Sequence, residues 1–173
     1  LIALLSEILL KEYPGASIVT DSVTSIGLKK FIESRGGIHH RYQRGYRNVI
    51  NEAKKLNREG KYTPLAIETS GHAAFIDNYF LDDGAYMAAR LLIQLIKSKK
   101  EKISFTDILN ELRIPEEEME LRFKINDTDF RIIGNKILED LKKYVDNIKE
   151  WRMETPNYEG VRVIVGEDSW FLL

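Results

Sequence analysis

The residues of this chain with the clearest chemical potential follow a short apolar run. Residues 63–67 have the composition of a buried strand, and Glu68, Ser70 and His72 come directly after it. A carboxylate accepts hydrogen bonds and a hydroxyl both donates and accepts them, which suits vicinal hydroxyl groups that each need one donor and one acceptor. Gly71 allows the backbone a tight path. The spacing therefore predicts an exposed loop at the end of a strand, where α/β proteins usually bind their ligands.

Two further side chains are candidates for ligand contacts. Imidazole exchanges protons near neutral pH, so His72 is a candidate acid or base, although taken alone a hydrogen-bonded loop histidine fits as well. Arg47 lies at the predicted start of a helix, where a cation and free backbone N–H groups together suit a phosphate. A solvated surface arginine fits that position equally well. The residues alone leave both pairs of alternatives open.

The histidine and aspartate pairs do not predict a metal site. Neighbouring residues of a strand point to opposite faces, so His39 and His40 cannot easily bind one ion, and a structural or surface role is favoured. Asp82 and Asp83 precede Gly84 and a long helical pattern, which favours helix capping by Asp83 over cation binding. We therefore expect no metal ligands in this chain.

The elements that must position these residues alternate between helix and strand in the first half of the chain. Apolar spacing predicts helices over residues 1–12, 25–35, 46–58 and 83–97. Strands are predicted over residues 16–20, 38–43, 65–67 and 74–80, the last running back from the polar loop. This alternation indicates an α/β layer structure with a largely parallel sheet.

The pattern changes after Lys97. A short helix is predicted over residues 104–112, and the charged residues 115–118 are typical of a linker. Beyond it the sequence predicts a half-exposed strand over 119–125, a helix over 130–147 capped by Thr128 or Asp129, and strands over 151–153, 161–165 and 170–173. We therefore expect two domains, residues 1–112 and an α+β unit with an antiparallel sheet at residues 118–173.

Composition excludes several classes of function. The 173 residues include 26 basic and 27 acidic side chains, whereas a nucleic-acid-binding protein would need a basic excess. No apolar run approaches the ~20 residues that a membrane span needs. Cysteine is absent, so there is no thiolate chemistry and no disulfide framework, and we expect a cytoplasmic protein.

Five segments in order along the chain, among them Glu-x-Ser-Gly-His at residues 68–72, form a pattern. Together they resemble the third and fourth domains of the α-D-phosphohexomutase superfamily, the phosphoglucomutase/phosphomannomutase enzymes. Glu-x-Ser-Gly-His at residues 68–72 is similar to the sugar-binding loop of that family, and residues 81–92 are similar to the helix that follows it. The other matching segments are residues 18–25, residues 44–49, and the pair of stretches 158–163 and 168–173. The chain departs from the family at Ile67, where glycine is usual, and at Tyr46, where many members carry histidine.

The resemblance implies a fold and an activity. The fold is an α/β/α third domain with a mixed sheet, followed by a small α+β, TBP-like fourth domain that is incomplete at Leu173. The activity is interconversion of hexose 1-phosphate and hexose 6-phosphate, of glucose or mannose, through a phosphoserine and a bisphosphate intermediate with Mg²⁺. The family's Ser-His pair and Asp-x-Asp-x-Asp-Arg metal loop are not found in this sequence. We therefore expect a piece of a longer protein, inactive alone, whose phosphoserine and Mg²⁺ lie elsewhere.

The resemblance also assigns roles to residues of this chain. Glu68 and Ser70 bind sugar hydroxyls, and His72 and Arg47 contact the substrate, so the expected partner is a sugar phosphate rather than nucleic acid or a membrane. Glucosamine and pentose phosphates stay open beside glucose and mannose. The alternatives are a non-catalytic carbohydrate-binding module and a regulatory domain derived from the same fold.

Overall fold

The computed structural model of this chain describes residues 1–173 and divides into two units. The first is Leu1–Ile114 and the second is Pro115–Leu173. The division falls in a stretch without regular secondary structure, and each unit has its own hydrophobic core.

The first unit is built on a mixed four-stranded sheet. Its strands are β1 (Ser17–Asp21), β2 (Ile38–Tyr42), β3 (Leu65–Ile67) and β4 (Ala73–Phe75), in the spatial order β2-β1-β3-β4. β1 is parallel to both β2 and β3, with Ile18 opposite His39 and Leu65, whereas β4 runs antiparallel to β3. The carboxyl ends of three strands therefore meet at one edge of the sheet, where open α/β sheets bind ligands.

Helices cover both faces of this sheet. They are α1 (Ile2–Glu12), α2 (Ile26–Ser34), α3 (Tyr46–Arg58), α4 (Gly84–Glu101) and the short α5 (Phe105–Ile108). Ile18 packs in one core with residues of α1, α2, α4 and α5, whereas its neighbour Val19 packs in a second core with α3. Alternate residues of a strand point to opposite faces. The result is the expected α/β/α layer structure with a mixed sheet.

The helix that follows the polar loop begins as the sequence predicts. The Asp83 carboxylate accepts hydrogen bonds from the backbone N–H groups of Ala85 and Tyr86, each at 3.0 Å. These bonds, together with one from the Asn78 side chain, hold the pKa of Asp83 below its ordinary value, and the Tyr86 N–H is the largest cause. Asp83 is therefore a helix cap.

The second unit combines one long helix with an antiparallel sheet. α6 (Phe130–Val145) precedes β5 (Trp151–Met153), β6 (Arg162–Val165) and β7 (Ser169–Leu172), which pair in the order β5-β6-β7. Val145, Val161 and Val163 form its buried core, with Trp151 and Phe171 packed against them. This is an α+β unit, as expected, and its TBP-like character stays a prediction.

The strand predicted over residues 119–125 is wrong. This segment has no regular structure, and Met119, Leu121 and Phe123 are largely exposed. Alternation of apolar and charged residues is a local signal, but a strand also needs a neighbour to which its backbone bonds, and none pairs with this segment.

Three other boundaries differ from the predicted ones. The strand predicted over residues 74–80 is β4, which ends at Phe75 where a single 3₁₀ turn, Ile76–Asn78, begins; Tyr79 and Phe80 then take positive φ angles of 56° and 55°, which no extended strand contains. α4 continues to Glu101 through helix-favouring lysines, whereas α5 ends at Ile108. The Asp129 side chain does not cap α6; instead the Asp127 carboxylate accepts the Asp129 N–H at 2.8 Å.

The helices also bear on the membrane question. None of them combines the length and the apolar character that crossing a bilayer requires.

Candidate functional site

The loop that joins β3 to β4 is closed by its own backbone. The Glu68 N–H donates to the His72 carbonyl and the Gly71 N–H donates to the Glu68 carbonyl, both at 3.0 Å. Gly71 has a φ of +96°, a conformation that other residues rarely adopt. The loop joins two strands that pair directly, with Ile67 opposite Ala73, so residues 68–72 lie at the carboxyl end of β3.

Glu68 is buried rather than exposed, which corrects the expectation for this position. Only 7% of the residue is accessible. One carboxylate oxygen, Oε1, accepts the backbone N–H of Gly45 at 2.6 Å, and Oε2 accepts the Ser70 hydroxyl at 3.3 Å. Gly45 precedes α3, so the carboxylate joins the loop after β3 to the start of the helix after β2. A carboxylate has about four acceptor sites, so Glu68 retains capacity for further donors.

His72 is part of a small polar cluster at the rim of the loop. Its Nδ1 lies 2.6 Å from Oδ2 of Asp82, and the other oxygen of Asp82 accepts the Ala73 N–H at 3.2 Å. The Tyr46 ring stacks on the imidazole with 5.3 Å between ring centroids. When Nδ1 donates to Asp82, the Nε2 atom of the half-exposed imidazole is the one left for a ligand.

Arg47 lies beside the same cluster, on the first turn of α3. Its Nε donates to the Tyr46 hydroxyl at 3.3 Å, and its guanidinium lies 5.9 Å from the centre of that ring. α3 begins after Gly45 without a side-chain cap. The first N–H groups of a helix have no partner within it. The structure thus places all four predicted residues, Glu68, Ser70, His72 and Arg47, on two neighbouring segments joined by the Glu68 contact to Gly45.

Three residues of this region were missed as site residues from the sequence: Asp21, Tyr46 and Asp82. Asp21 ends β1, and its Oδ2 accepts both the N–H and the hydroxyl of Thr69, at 2.9 and 2.6 Å. A carboxylate directly at the end of a buried strand was the available signal for Asp21. For Asp82 the available signal was its position 10 residues after His72, which is close enough in the chain for a turn to bring the two side chains together.

The histidine pair on β2 lies away from this loop. His39 Nε2 is 2.7 Å from the Thr20 hydroxyl, whereas His40 Nε2 is 3.2 Å from a carboxylate oxygen of Glu52 on α3. Burial is the largest cause of the lowered pKa of His40, and the Glu52 carboxylate opposes that shift. No group of three or more histidine, cysteine, aspartate or glutamate side chains is arranged to hold a metal ion.

The arrangement suits a ligand that carries both hydroxyl groups and an anion. Glu68 and Ser70 offer acceptor oxygens close to the strand ends, while the Arg47 guanidinium is cationic and His72 presents a ring nitrogen at the rim. These groups can bind and orient a ligand.

Comparisons with known proteins show what this chain is similar to. The sequence pattern of the family described as "Phosphoglucomutase/phosphomannomutase, alpha/beta/alpha domain III" matches residues 1–113. A phosphomannomutase/phosphoglucomutase of Pseudomonas putida is 32% identical over 118 residues, which cover 67% of this chain and 24% of that protein.

A structural relative extends the match to the second unit. The crystal structure of a phosphoglucomutase/phosphomannomutase family protein from Burkholderia thailandensis has a TM-score of 0.70 and 27% sequence identity to this chain. The match covers 99% of this chain and 33% of that protein. The chain thus spans between a quarter and a third of the length of these two relatives.

Proposed function

This chain belongs to the phosphoglucomutase/phosphomannomutase family, and from that premise we propose that its β3–β4 loop binds the sugar of a hexose phosphate. The observation that carries the proposal is the position of Glu68. Its carboxylate is buried, is fixed by the Gly45 N–H, and lies next to the Ser70 hydroxyl. A preordered carboxylate can accept from two neighbouring sugar hydroxyls, and the oxygen of Ser70, whose hydrogen is donated to Glu68, can accept from a third.

The rim of the loop supports the phosphate half of the ligand. Arg47, on the first turn of α3, and the half-exposed His72 both lie beside Tyr46. An arginine offers several donors for a phosphate, and helix N-terminal N–H groups favour negative charge. We therefore assign the hydroxyls to Glu68 and Ser70 and the phosphate to Arg47 and His72.

Members of this family are intramolecular phosphotransferases of sugar metabolism, and we propose the same activity for the protein in which this chain acts. That protein would interconvert the 1-phosphate and 6-phosphate of glucose or mannose through a phosphoserine and a bisphosphate intermediate. Mg²⁺ would neutralise phosphate charge during transfer. The serine and the metal ligands would lie outside this chain, in the cytoplasmic full-length enzyme, and residues 118–173 would form part of its fourth domain.

Binding by the chain itself tests the proposal. Isotope-labelled protein is titrated with glucose 1-phosphate and mannose 1-phosphate, followed by the backbone amide signals of residues 45–48 and 68–72. We expect saturable shifts confined to these residues, and weaker ones with glucose or inorganic phosphate alone. Glu68→Ala should abolish most of the response to the sugar. Equal responses to inorganic phosphate and to both sugar phosphates would contradict a sugar site.

Activity gives a second test. The chain alone should bind a hexose phosphate without converting it, which a coupled assay for glucose 6-phosphate measures. Turnover that increases with protein concentration and survives repurification would contradict the placement of the phosphoserine outside this chain.

A further inference from the structure

We propose that Asp21 is a positioning residue that holds the β3–β4 loop in its ligand-binding conformation. This inference rests on the proposed function, because it concerns the residue that places Glu68 and Ser70. Asp21 itself is not assigned a contact with the ligand. It is the last residue of β1, and only 2% of it is accessible.

The geometry links one carboxylate oxygen to the residue between the two ligand-binding side chains. Oδ2 of Asp21 accepts the Thr69 N–H at 2.9 Å and the Thr69 hydroxyl at 2.6 Å. Hydrogen bonds to a charged acceptor are shorter and stronger than those between neutral groups. Thr69 has Glu68 on one side and Ser70 on the other, so these two bonds fix the backbone from which both side chains extend.

The loop's own hydrogen bonds do not hold Thr69 against the sheet. The bonds from the Glu68 N–H to His72 and from the Gly71 N–H to Glu68 join the loop to itself. They give the loop its shape, and the pairing of β1 with β3 fixes the position of Ile67 before it, but neither ties Thr69 to the sheet. Asp21 supplies that tie from β1, the neighbouring parallel strand, and Glu68 supplies a second tie to Gly45.

The burial of Asp21 argues against a purely stabilising role. Its second oxygen, Oδ1, is buried and has no hydrogen-bond partner in the structure. A buried acceptor oxygen without a partner opposes folding. A carboxylate at this position is therefore better explained by the two bonds that it makes to Thr69.

The test uses the hydroxyl of Thr69, which can be removed with almost no change in shape. Thr69→Val deletes one of the two bonds to Asp21, and Thr69→Ser keeps it. Thr63→Val is the matched control, since it deletes another threonine hydroxyl bond, to the Lys61 carbonyl at 2.9 Å, just before β3. Amide hydrogen exchange of residues 68–72 reports loop order, and the Kd for glucose 1-phosphate or mannose 1-phosphate reports binding.

We expect Thr69→Val to accelerate exchange at the Glu68 and Gly71 amides and to raise the Kd by about five- to tenfold. Thr69→Ser should resemble the unaltered chain in both measurements. Asp21→Asn keeps an acceptor but loses the charge, so it should also accelerate amide exchange in the loop and raise the Kd. Thr63→Val should lower the melting temperature and leave the Kd unchanged.

Two results separate this inference from the proposed function. Unchanged loop exchange and Kd in Thr69→Val, beside a lowered melting temperature like that of Thr63→Val, would overturn the positioning role. If the unaltered chain binds neither sugar phosphate, the proposed function fails, and loop exchange alone decides the inference. Faster exchange in Thr69→Val with normal exchange in Thr69→Ser would still support it, and unchanged exchange in both would overturn it.

Discussion

Glu68 combines a ligand-binding position with a structural bond, so its substitutions should affect both binding and stability. In Glu68→Gln the single carbonyl oxygen can still accept the Gly45 N–H, but the charge and one acceptor are lost. Bonds to a charged acceptor contribute about 1.5–3 kcal/mol against about 1 kcal/mol for neutral ones. We expect the Kd for a hexose phosphate to rise roughly tenfold, with little change in the free energy of unfolding.

Glu68→Ala should weaken binding further and also destabilise the first unit, because the Gly45 N–H loses its partner at a cost of about 1–3 kcal/mol. Titration and chemical denaturation measure the two effects. Glu52→Gln is the matched control for Glu68→Gln, since Glu52, on α3, is similarly buried but pairs with His40 of β2. Glu52→Gln should change the free energy of unfolding and leave the Kd for a hexose phosphate unchanged. Normal binding by well-folded Glu68→Ala would remove the sugar-binding assignment.

Asp83 gives a prediction about pH. Its pKa is lowered in the folded chain, so the stabilisation it provides is complete above the unfolded pKa, near 3.8, and is lost as pH falls through the folded value. Asp83→Ala should therefore melt at a lower temperature than the unaltered chain at neutral pH. The difference between the two melting temperatures should begin to shrink as the pH falls below about 3.8, and the curves should converge only below the lowered folded pKa. A difference that stays constant with pH would show that the charge of Asp83 contributes nothing.

The sequence could predict the ligand-facing residues better than the residues that hold them. Glu68, Ser70 and His72 are close together in the chain, so their spacing was informative. Asp21 and Thr69 are 48 positions apart, and only the pairing of β1 with β3 brings them together. The burial of Glu68 likewise depends on a backbone group of a distant segment, Gly45, which carries no side-chain signal.

At the scale of elements, prediction succeeded where local chemistry decides. The apolar spacing of α3 and the Asp83 cap of α4 are properties of neighbouring residues, and both elements begin where predicted. The segment 119–125 has the alternation of a strand but no pairing partner, so it remains irregular. Its case shows that periodicity indicates which face could be buried and not whether anything covers it.

Two helical glycines provide a prediction at this scale. A Cβ added at Gly27 in α2 would lie 2.1 Å from the Arg113 carbonyl oxygen, whereas one at Gly84 in α4 would have no neighbour within 4 Å. Gly27→Ala should therefore destabilise the first unit by roughly 1–3 kcal/mol, as overpacking does. Gly84→Ala should be neutral or stabilise by up to about 1 kcal/mol.

Denaturant titrations of both glycine variants check this. Because both substitutions add the same methyl group to the first turn of a helix, the difference between them isolates the contact with Arg113. Equal effects in the two variants would mean that the last residues of the first unit do not pack tightly against α2.

For the whole molecule, the main feature is the division between Ile114 and Pro115. Residues 115–126 have no helix or strand, and the side chain of Arg122 is 85% exposed. A protease cleaves a segment that can unfold locally and enter its active site, and exposed irregular segments are the usual sites of cleavage. The charged stretch 97–101 should resist the protease for longer, because it belongs to α4, which continues to Glu101.

Limited trypsin digestion should therefore cut first after Arg122 and Lys124. Arg162, in β6, is buried and should resist cleavage, which makes it an internal control. The released first unit keeps its own core and all four predicted site residues, so it should retain the amide signals of Gly45 and Gly71 and the same Kd for a hexose phosphate. Mass spectrometry of the fragments, and titration of the released fragment that ends at Arg122 or Lys124, measure this. Early cuts at Lys99 or Lys100 would contradict the expected cleavage site. Loss of binding by a released first unit that stays folded would show that binding needs the second unit.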